Sequence, residues 1–278
     1  MRLPDFLIIG AQKAGTTWLA EQLRAHSGIF MPSGELHFFD QREPAIHGTE
    51  WYAAQFAPAG DRRAGEKTPN YLFLPDNPDI RGGHLRLARL LPNARLIAIL
   101  RDPVDRAVSA VHHMQRKGIV SPRYSIDALL GPRCDLLSWH VLEVGLYAGQ
   151  VEAYMSLYDR EQLLVLFFDE IQAAPAAVVE RVCRFLDLAV ESDDRWMKRR
   201  ANSSRPTRLR MLVDYYFPRF RKWTHRLDRY ARPYYPVPSD ATRRRLYDYY
   251  EAHNERLFEL LGRRPRSGWR YAPGAEAS

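Results

Sequence analysis

Three short runs of apolar residues stand out along the chain, and each is bounded by polar or turn-forming residues. They cover residues 6–9, 96–100 and 163–168. Runs of this length without a polar interruption predict buried strands. Because parallel sheets that are covered on both faces use such strands, we expect a parallel sheet at the centre of the fold.

Segments with helical spacing of apolar residues lie between and after these strands. They cover residues 17–26, 85–91, 102–116, 139–158, 175–186 and 240–261. Alternating strands and helices predict an α/β fold with a central parallel β-sheet flanked by helices. We expect residues 1–270 to form one domain, residues 219–238 to be an extended surface segment, and residues 271–278 to be a disordered tail.

Arg101 directly follows the second predicted strand. Asp102 and Pro103 come next, and both favour the start of a helix, since Asp accepts bonds from free amides and Pro suits the first helical position. Ligands of open α/β sheets bind beyond the carboxyl ends of the strands. Arg101 and the loop after the first strand are therefore expected at the same ligand-binding edge.

The loop after the first strand has the composition of a phosphate cradle. Gly10 and Gly15 permit close approach of the backbone to an anion, Lys13 adds a positive charge, and Thr16 and Thr17 add hydroxyl groups. The glycine spacing matches a Walker A loop, but the lysine stands three residues before the first threonine instead of next to it. We interpret the loop as phosphate-binding; an ordinary turn between strand and helix is the alternative.

Composition narrows the class of protein further. With 278 residues, 46% of them hydrophobic and 27% charged, the chain can bury one sizeable core. The net charge of +8 favours an anionic partner. The two cysteines, Cys134 and Cys183, provide no pattern typical of a disulfide framework or a metal site. The apolar run near the start is too short for a signal or a membrane span, so we expect a cytoplasmic protein without stable membrane insertion.

Three further segments complete the pattern. They are Gly-Glu-Leu-His-Phe-Phe-Asp at residues 34–40, Glu-Lys-Thr-Pro-Asn-Tyr at 66–71, and an arginine followed eight positions later by a serine in residues 101–109. Together with the loop, they resemble the sulfotransferases that use 3'-phosphoadenosine 5'-phosphosulfate (PAPS), in particular the heparan sulfate O- and N-sulfotransferases and their bacterial relatives. The resemblance runs from about Asp5 to Trp269 and implies the P-loop-like nucleotide-binding fold of that family.

The resemblance implies a donor site for PAPS. The loop would hold the 5'-phosphosulfate, the Arg101 and Ser109 pair would hold the 3'-phosphate, and Arg232 would replace an arginine of the family's Lys-Gly-Arg loop, which is absent here. On this basis the residues expected to bind the donor are Gln12, Lys13, Ala14, Gly15, Thr16, Thr17, Trp18, Arg101, Ser109 and Arg232.

The resemblance also implies catalytic roles. Glu35 would be the general base that takes the proton of an acceptor hydroxyl or amine, and His37 would be the alternative base or would position the acceptor. Lys13 and Lys67 would stabilise charge on the bridging oxygen of the leaving group, so that no metal is needed. The acceptor is expected to be a carbohydrate or a small natural product, and no nucleic acid is expected as a partner.

Two other functions compete with this interpretation. A P-loop kinase or NTPase fits the glycine spacing and the acidic residues Asp169 and Glu170 after the third strand, but the Gly-Lys pair is missing. A polyanion-binding module fits the net charge and the aromatic residues interleaved with arginines at 219–235, but it does not explain the loop or Glu35. The basic residues at 198–210 are a candidate surface for an anionic acceptor, and a solvated helix face is the alternative.

Overall fold

A computed structural model of the chain describes residues 1–40, 47–75, 82–131, 140–191, 206–220, 222–229 and 234–272. Two compact units are present. The first comprises Met1–Arg101, Tyr147–Ala201 and Arg256–Ser267; the second comprises Asp102–Leu146, Asn202–Glu255 and Gly268–Ser278. Cys134, Trp139, Arg232 and residues 273–278, about which the sequence makes predictions, lie outside the described residues.

The first unit contains a parallel sheet of five strands within the described residues. The strands are β1 (Phe6–Gly10), β2 (Ile29–Phe30), β3 (Arg63–Lys67), β4 (Arg95–Leu100) and β5 (Leu163–Phe167). Their order across the sheet is β2-β3-β1-β4-β5, and each neighbouring pair is parallel. The predicted α/β class with a central parallel sheet is therefore confirmed.

The helices of the described residues follow the strands in the expected alternation. In chain order they are α1 (Thr16–Ala25), α2 (Thr49–Ala54), α3 (Gly83–Leu90), α4 (Pro103–Lys117), α5 (Ile126–Leu129), α6 (Tyr147–Met155), α7 (Phe168–Ala173), α8 (Pro175–Phe185), α9 (Arg208–Tyr216) and α10 (Asp240–Leu261). Within these ranges, no helix combines the length and the apolar character needed to cross a bilayer.

Apolar burial explains the three strands that the sequence predicts. All five residues of β1 are buried, as are all but the first residue of β4. Strand β3 is different, because its sequence Arg-Ala-Gly-Glu-Lys is largely polar, yet four of its residues are buried. Gly65 lies opposite Phe6 in the sheet, and a Cβ atom at this position would lie 2.1 Å from the Phe6 ring. Glycine at position 65 therefore makes room for an aromatic side chain of the neighbouring strand.

The second unit is built on helices. Asp102 caps α4 by accepting bonds from the amides of Val104 and Asp105, as the sequence predicts. The buried face of α4 packs with residues of α5 and α10 in an apolar core that includes Val111, Leu129 and Leu246.

Two predicted segments differ from the structure. The helix expected over 139–158 is shorter, because a 3-10 turn at Glu143–Gly145 precedes α6. The segment 219–238, expected to be extended, contains a 3-10 turn at Thr224–Arg229, and another one, Pro218–Phe220, overlaps its start.

Candidate active site

The loop between β1 and α1 exposes the amino end of a helix at the carboxyl edge of the sheet. The amide of Ala11 donates to the carbonyl of Ile99 in β4, at 2.7 Å, which pins the start of the loop. Gly15 precedes α1 and has no side chain to cap it, and the first turn of α1 carries no acidic residue. Such a helix end, with free amides and a favourable dipole, suits an anion.

Two positions of this loop require glycine. A Cβ atom at position 10 would lie 2.5 Å from Cβ of Leu72. Gly15 has φ of 95°, a left-handed conformation that other residues rarely adopt, and a Cβ atom there would lie 3.0 Å from the ring of Phe168. The loop therefore has little room for any side chain at these two points.

The other residues predicted in this loop differ in exposure. Ala14 and Thr16 are buried, whereas Gln12, Lys13, Thr17 and Trp18 are partly exposed. Lys13 also has a left-handed backbone, with φ of 68°. Ala14 has no solvent-accessible surface, so of these residues the partly exposed ones are the candidates for direct contact with a ligand.

Arg101 follows β4, which lies beside β1 in the sheet, as the sequence predicts. Its guanidinium carbon lies 4.9 Å from the centroid of the Phe168 ring. Phe168 is also the ring that closes on Gly15, so this one side chain bridges the loop and Arg101. The sequence predicts that Phe168 lies at a strand end and indicates no role for it at the site.

Two further residues are predicted to bind PAPS, Ser109 and Arg232. Ser109 lies in α4 of the second unit and is partly exposed. Arg232 lies outside the described residues. Among the basic residues at 198–210, Arg210 pairs with Asp228 at 2.5 Å and Arg208 packs over the ring of Tyr234.

Four charged side chains form a second feature of the first unit, which we call the Glu35 cluster: Lys67, Glu35, His37 and Asp40. The Lys67 ammonium donates to Oε1 of Glu35. Nε2 of His37 lies 3.3 Å from Oε2 of Glu35, and Nδ1 of His37 lies 2.8 Å from Oδ2 of Asp40. The structure thus brings together three residues to which the resemblance assigns catalytic roles: Glu35, His37 and Lys67.

Asp40 belongs to the cluster, although the sequence predicts no role for it. It lies in the segment 34–40, three residues after His37. A carboxylate three residues along the chain from a candidate catalytic histidine is the sequence signal for this contact, because histidine is commonly oriented by an acidic partner.

The cluster fixes the charges of Glu35 and His37. Burial opposes ionisation of Glu35, but hydrogen bonds from His37 and Lys67 outweigh it and lower the pKa of Glu35 to about 2. Hydrogen bonds to Asp40 and Glu35 raise the pKa of His37 to about 10, against the opposing effect of burial. At neutral pH, Glu35 is therefore an acceptor only, and both ring nitrogens of His37 are donors.

The cluster belongs to the same sheet edge as the loop. Lys67 is the last residue of β3, which pairs with β1, and Lys67 is in register with Ile8 two residues before Gly10. Chemically, this edge offers main-chain amides and Arg101 for an anion, and a carboxylate beside two cationic groups for a proton transfer.

Asp169 and Glu170, the acidic residues after β5, form hydrogen bonds and ion pairs within the first unit. Oδ2 of Asp169 accepts the amide of Arg266 at 2.6 Å. Glu170 accepts the amide of Phe167 and pairs with both Arg181 and Arg263, each at 2.9 Å. These contacts join the start of α7 to α8 and to the last segment of the first unit, Arg256–Ser267. Asp169 and Glu170 therefore have a structural role.

Comparisons with known proteins agree with this geometry. The family model described as "Sulfotransferase domain" matches residues 3–205. Mouse heparan sulfate glucosamine 3-O-sulfotransferase 3A1 is 26% identical over 94% of this chain and 64% of its own length. Human heparan sulfate glucosamine 3-O-sulfotransferase 6 is 29% identical over 94% of this chain and 72% of its own length. The chain thus spans somewhat less than two thirds of the mouse relative.

A solved structure shares the fold of the chain. The sulfotransferase from Alicyclobacillus acidocaldarius is 25% identical, with a TM-score of 0.72 over 98% of this chain and 100% of that one. The family model covers well over half of the residues, from before β1 to beyond α8. This chain therefore belongs to the sulfotransferase family.

Proposed function

We propose that this chain transfers the sulfuryl group of PAPS to a hydroxyl or amine of a carbohydrate or small natural product, with Glu35 as the general base. The observation that carries the proposal is the Glu35 cluster at the same sheet edge as the β1–α1 loop, in a chain of the sulfotransferase family. The relatives named for heparan sulfate glucosamine support a sugar acceptor.

The donor would bind through its phosphates. The free amides at the start of α1 and the charge of Lys13 suit the 5'-phosphosulfate, with Thr16 and Thr17 as hydroxyl donors. Arg101 can donate two bonds to the 3'-phosphate, and Ser109 and Arg232 are the further candidates for that group. The packing of Arg101 on Phe168 supports this role, because the same ring also lies against Gly15 of the loop.

The transfer balances without another reactant. The acceptor oxygen attacks sulfur, the bond between sulfur and the bridging oxygen breaks, and 3'-phosphoadenosine 5'-phosphate (PAP) leaves with that electron pair. The acceptor proton passes to Glu35. Lys13 and Lys67 stabilise the charge that develops on the bridging oxygen, which is the largest kind of contribution in such transfers.

The charges in the cluster favour Glu35 over His37 as the base. His37 is protonated at neutral pH, and its two ring N–H groups face Glu35 and Asp40, so it cannot take the proton of the acceptor. Glu35 is ionised, although its lowered pKa makes it a weak base while Lys67 is paired with it. A donor that draws Lys67 toward the sulfuryl group would raise the pKa of Glu35 just when a base is required.

The competing functions fit less well. In a P-loop kinase, an acidic residue after a strand holds magnesium, but Asp169 and Glu170 here accept bonds from Arg266, Arg181 and Arg263. A polyanion-binding module has no need of a carboxylate between a lysine and a histidine. Metal-free chemistry, a cytoplasmic location and a single domain over residues 1–270 stay predictions, as does the disordered tail at 271–278.

Calorimetric titration with PAP, and with 5'-AMP as the analogue lacking the 3'-phosphate, tests the donor site. We expect PAP to bind without magnesium and more tightly than 5'-AMP. Arg101→Ala should weaken PAP binding by roughly 10- to 100-fold, the range for a hydrogen bond to a charged group, and should reduce the preference for PAP.

Arg89→Ala is the matched control, because Arg89 is an exposed arginine of α3 and its loss changes the net charge equally. Two results would favour the P-loop kinase over the sulfotransferase: equal affinity for PAP and 5'-AMP, or binding of ATP that depends on magnesium.

A further inference from the structure

Glu66 is a fully buried carboxyl in β3 whose described partners are hydroxyl groups. The Tyr52 hydroxyl donates to its Oε2. The hydroxyls of Thr68 and Tyr71 donate to its Oε1, at 2.8 and 2.7 Å. With three donors around it, this carboxyl accepts at both oxygens.

Tyr71 connects Glu66 to the loop of the Glu35 cluster. Its hydroxyl oxygen accepts the amide of Phe38 at 2.9 Å, and Phe38 is the residue after His37. Since the Tyr71 proton is donated to Glu66, the oxygen lone pairs are free to face the Phe38 amide. Glu66 thus determines which way the hydroxyl points, and the hydroxyl fixes the main chain of the loop.

Other contacts hold Tyr71 and the adjoining loop residues in place. The Tyr154 hydroxyl donates to the carbonyl of Tyr71 at 2.6 Å. The Phe38 ring stacks on Tyr52 with centroids 4.3 Å apart, and Arg86 donates to the carbonyl of Phe39 at 2.8 Å. The loop is therefore anchored immediately after His37.

Packing alone does not explain why a carboxyl group is buried at position 66. Burial raises the pKa of Glu66, against the hydrogen bonds from its three partners. A buried carboxyl costs free energy that an apolar side chain of the same size would not cost. What Glu66 provides, and an apolar residue does not, is a fixed acceptor for the Tyr71 hydroxyl.

We infer that Glu66 and Tyr71 are positioning residues for Glu35 and His37: the buried carboxyl orients the Tyr71 hydroxyl, which holds the Phe38 amide and so fixes the loop. The catalytic part of this inference rests on the proposed function. The anchor itself does not, because it consists of contacts within the free protein.

Tyr71→Phe is the direct test, since it removes the hydroxyl and keeps the ring. Tyr158→Phe is the matched control; it also removes a buried tyrosine hydroxyl, one that donates to the carbonyl of Leu91 at 3.1 Å, away from the loop. A second pair is Glu66→Met, which removes both acceptor oxygens, and Glu66→Gln, whose amide oxygen can still accept from Tyr71.

The first measurement is an NMR titration of the His37 ring in the protein without ligand. In the wild type and in Tyr158→Phe, we expect His37 to stay protonated until about pH 10, because Asp40 and Glu35 face it. In Tyr71→Phe and Glu66→Met, the loosened loop should let the pKa of His37 fall toward the usual 6.5. In Glu66→Gln, the pKa of His37 should stay as in the wild type. An unchanged His37 titration in Tyr71→Phe, or an equal fall in Tyr158→Phe, would overturn the anchor.

The second measurement is sulfuryl transfer by the same variants. Tyr71→Phe should lower kcat by roughly 10- to 100-fold, as expected for misplaced catalytic groups, with little change in KM for PAPS. An unchanged kcat beside a shifted His37 titration would overturn the positioning role. If the His37 titration shifts in the variants as expected but the wild type never transfers a sulfuryl group, the proposed function is overturned instead, so the two failures can be told apart.

Discussion

Two loops at one edge of the sheet differ in the groups that they present: the β1–α1 loop presents main-chain amides, and the segment 34–40 presents charged side chains. The β1–α1 loop presents main-chain amides, and what it requires of its sequence is mostly the absence of side chains at Gly10 and Gly15. The segment 34–40 presents side chains instead, and Glu35 and His37 depend on partners from β3 and beyond. A site made of backbone is thus encoded locally, whereas a site made of side chains is encoded across the unit.

The difference extends to electrostatics. The first loop attracts an anion with partial charges that are fixed by the helix and do not titrate. The Glu35 cluster holds full charges in a row, cation beside anion from Lys67 to Asp40. His37 and Lys67 lower the pKa of Glu35, and Asp40 and Glu35 raise the pKa of His37. The two loops should therefore fail in different ways when they are altered.

Substitution of Glu35 should separate chemistry from donor binding. In Glu35→Gln the base is lost while the shape is kept, so transfer from PAPS should fall by about 10³-fold, within the usual range for a general base. Single-turnover transfer measures this effect. Calorimetry with PAP should show unchanged affinity, because the amides of the other loop do the binding. Unimpaired turnover would remove Glu35 from the mechanism.

Substitution of Gly15 should have the opposite profile. In Gly15→Ala the left-handed backbone and the close Phe168 ring should cost about 1–3 kcal/mol of unfolding free energy, and PAP binding should weaken. Gly149→Ala is the matched control, since this exposed glycine of α6 has open space around it. Its substitution should stabilise the chain by about 0.5–1 kcal/mol, through helix propensity. Denaturant unfolding of both variants checks the sign of each change in unfolding free energy. A Gly15→Ala variant that is as stable as the wild type and binds PAP as tightly would contradict the role of this loop in phosphate binding.

The contrast between the loops also explains what could be predicted from the sequence. The apolar runs of β1, β4 and β5 and the position of Arg101 follow from local patterns, and the structure agrees with them. Strand β3 could not be found in this way, because its polar residues are buried by contacts with distant parts of the chain: Gly65 with Phe6, and Glu66 with Tyr52.

The site shows the same limit. Glu35, His37 and Lys67 were identified through the resemblance to a family, since alone they are ordinary charged residues. Phe168 joins the loop and Arg101 from more than 60 residues away along the chain. No periodicity or spacing encodes such a contact, because it depends on the order of strands across the sheet.

The smallest expected effect is the response of stability to pH. The pKa of His37 is raised in the folded chain to about 10, so its contribution to stability is complete below pH 6.5 and is lost as the pH rises from 6.5 to about 10. His37→Gln should therefore destabilise the chain at pH 6, by on the order of 1 kcal/mol at this partly exposed site, and by almost nothing at pH 10.

His84→Gln is the control with the opposite sign. Burial lowers the pKa of His84, with Arg86 contributing, so protonation of His84 destabilises the folded chain only as the pH falls below 6.5. Relative to the wild type, this variant should gain stability below pH 6.5 and show no change of effect above it. Denaturant unfolding at pH 5, 6, 8 and 10 resolves the two windows. A His37 effect that stays constant from pH 6 to 10 would mean that Glu35 and Asp40 do not hold a charged ring between them, and the contrast between a titrating loop and a non-titrating one would be lost.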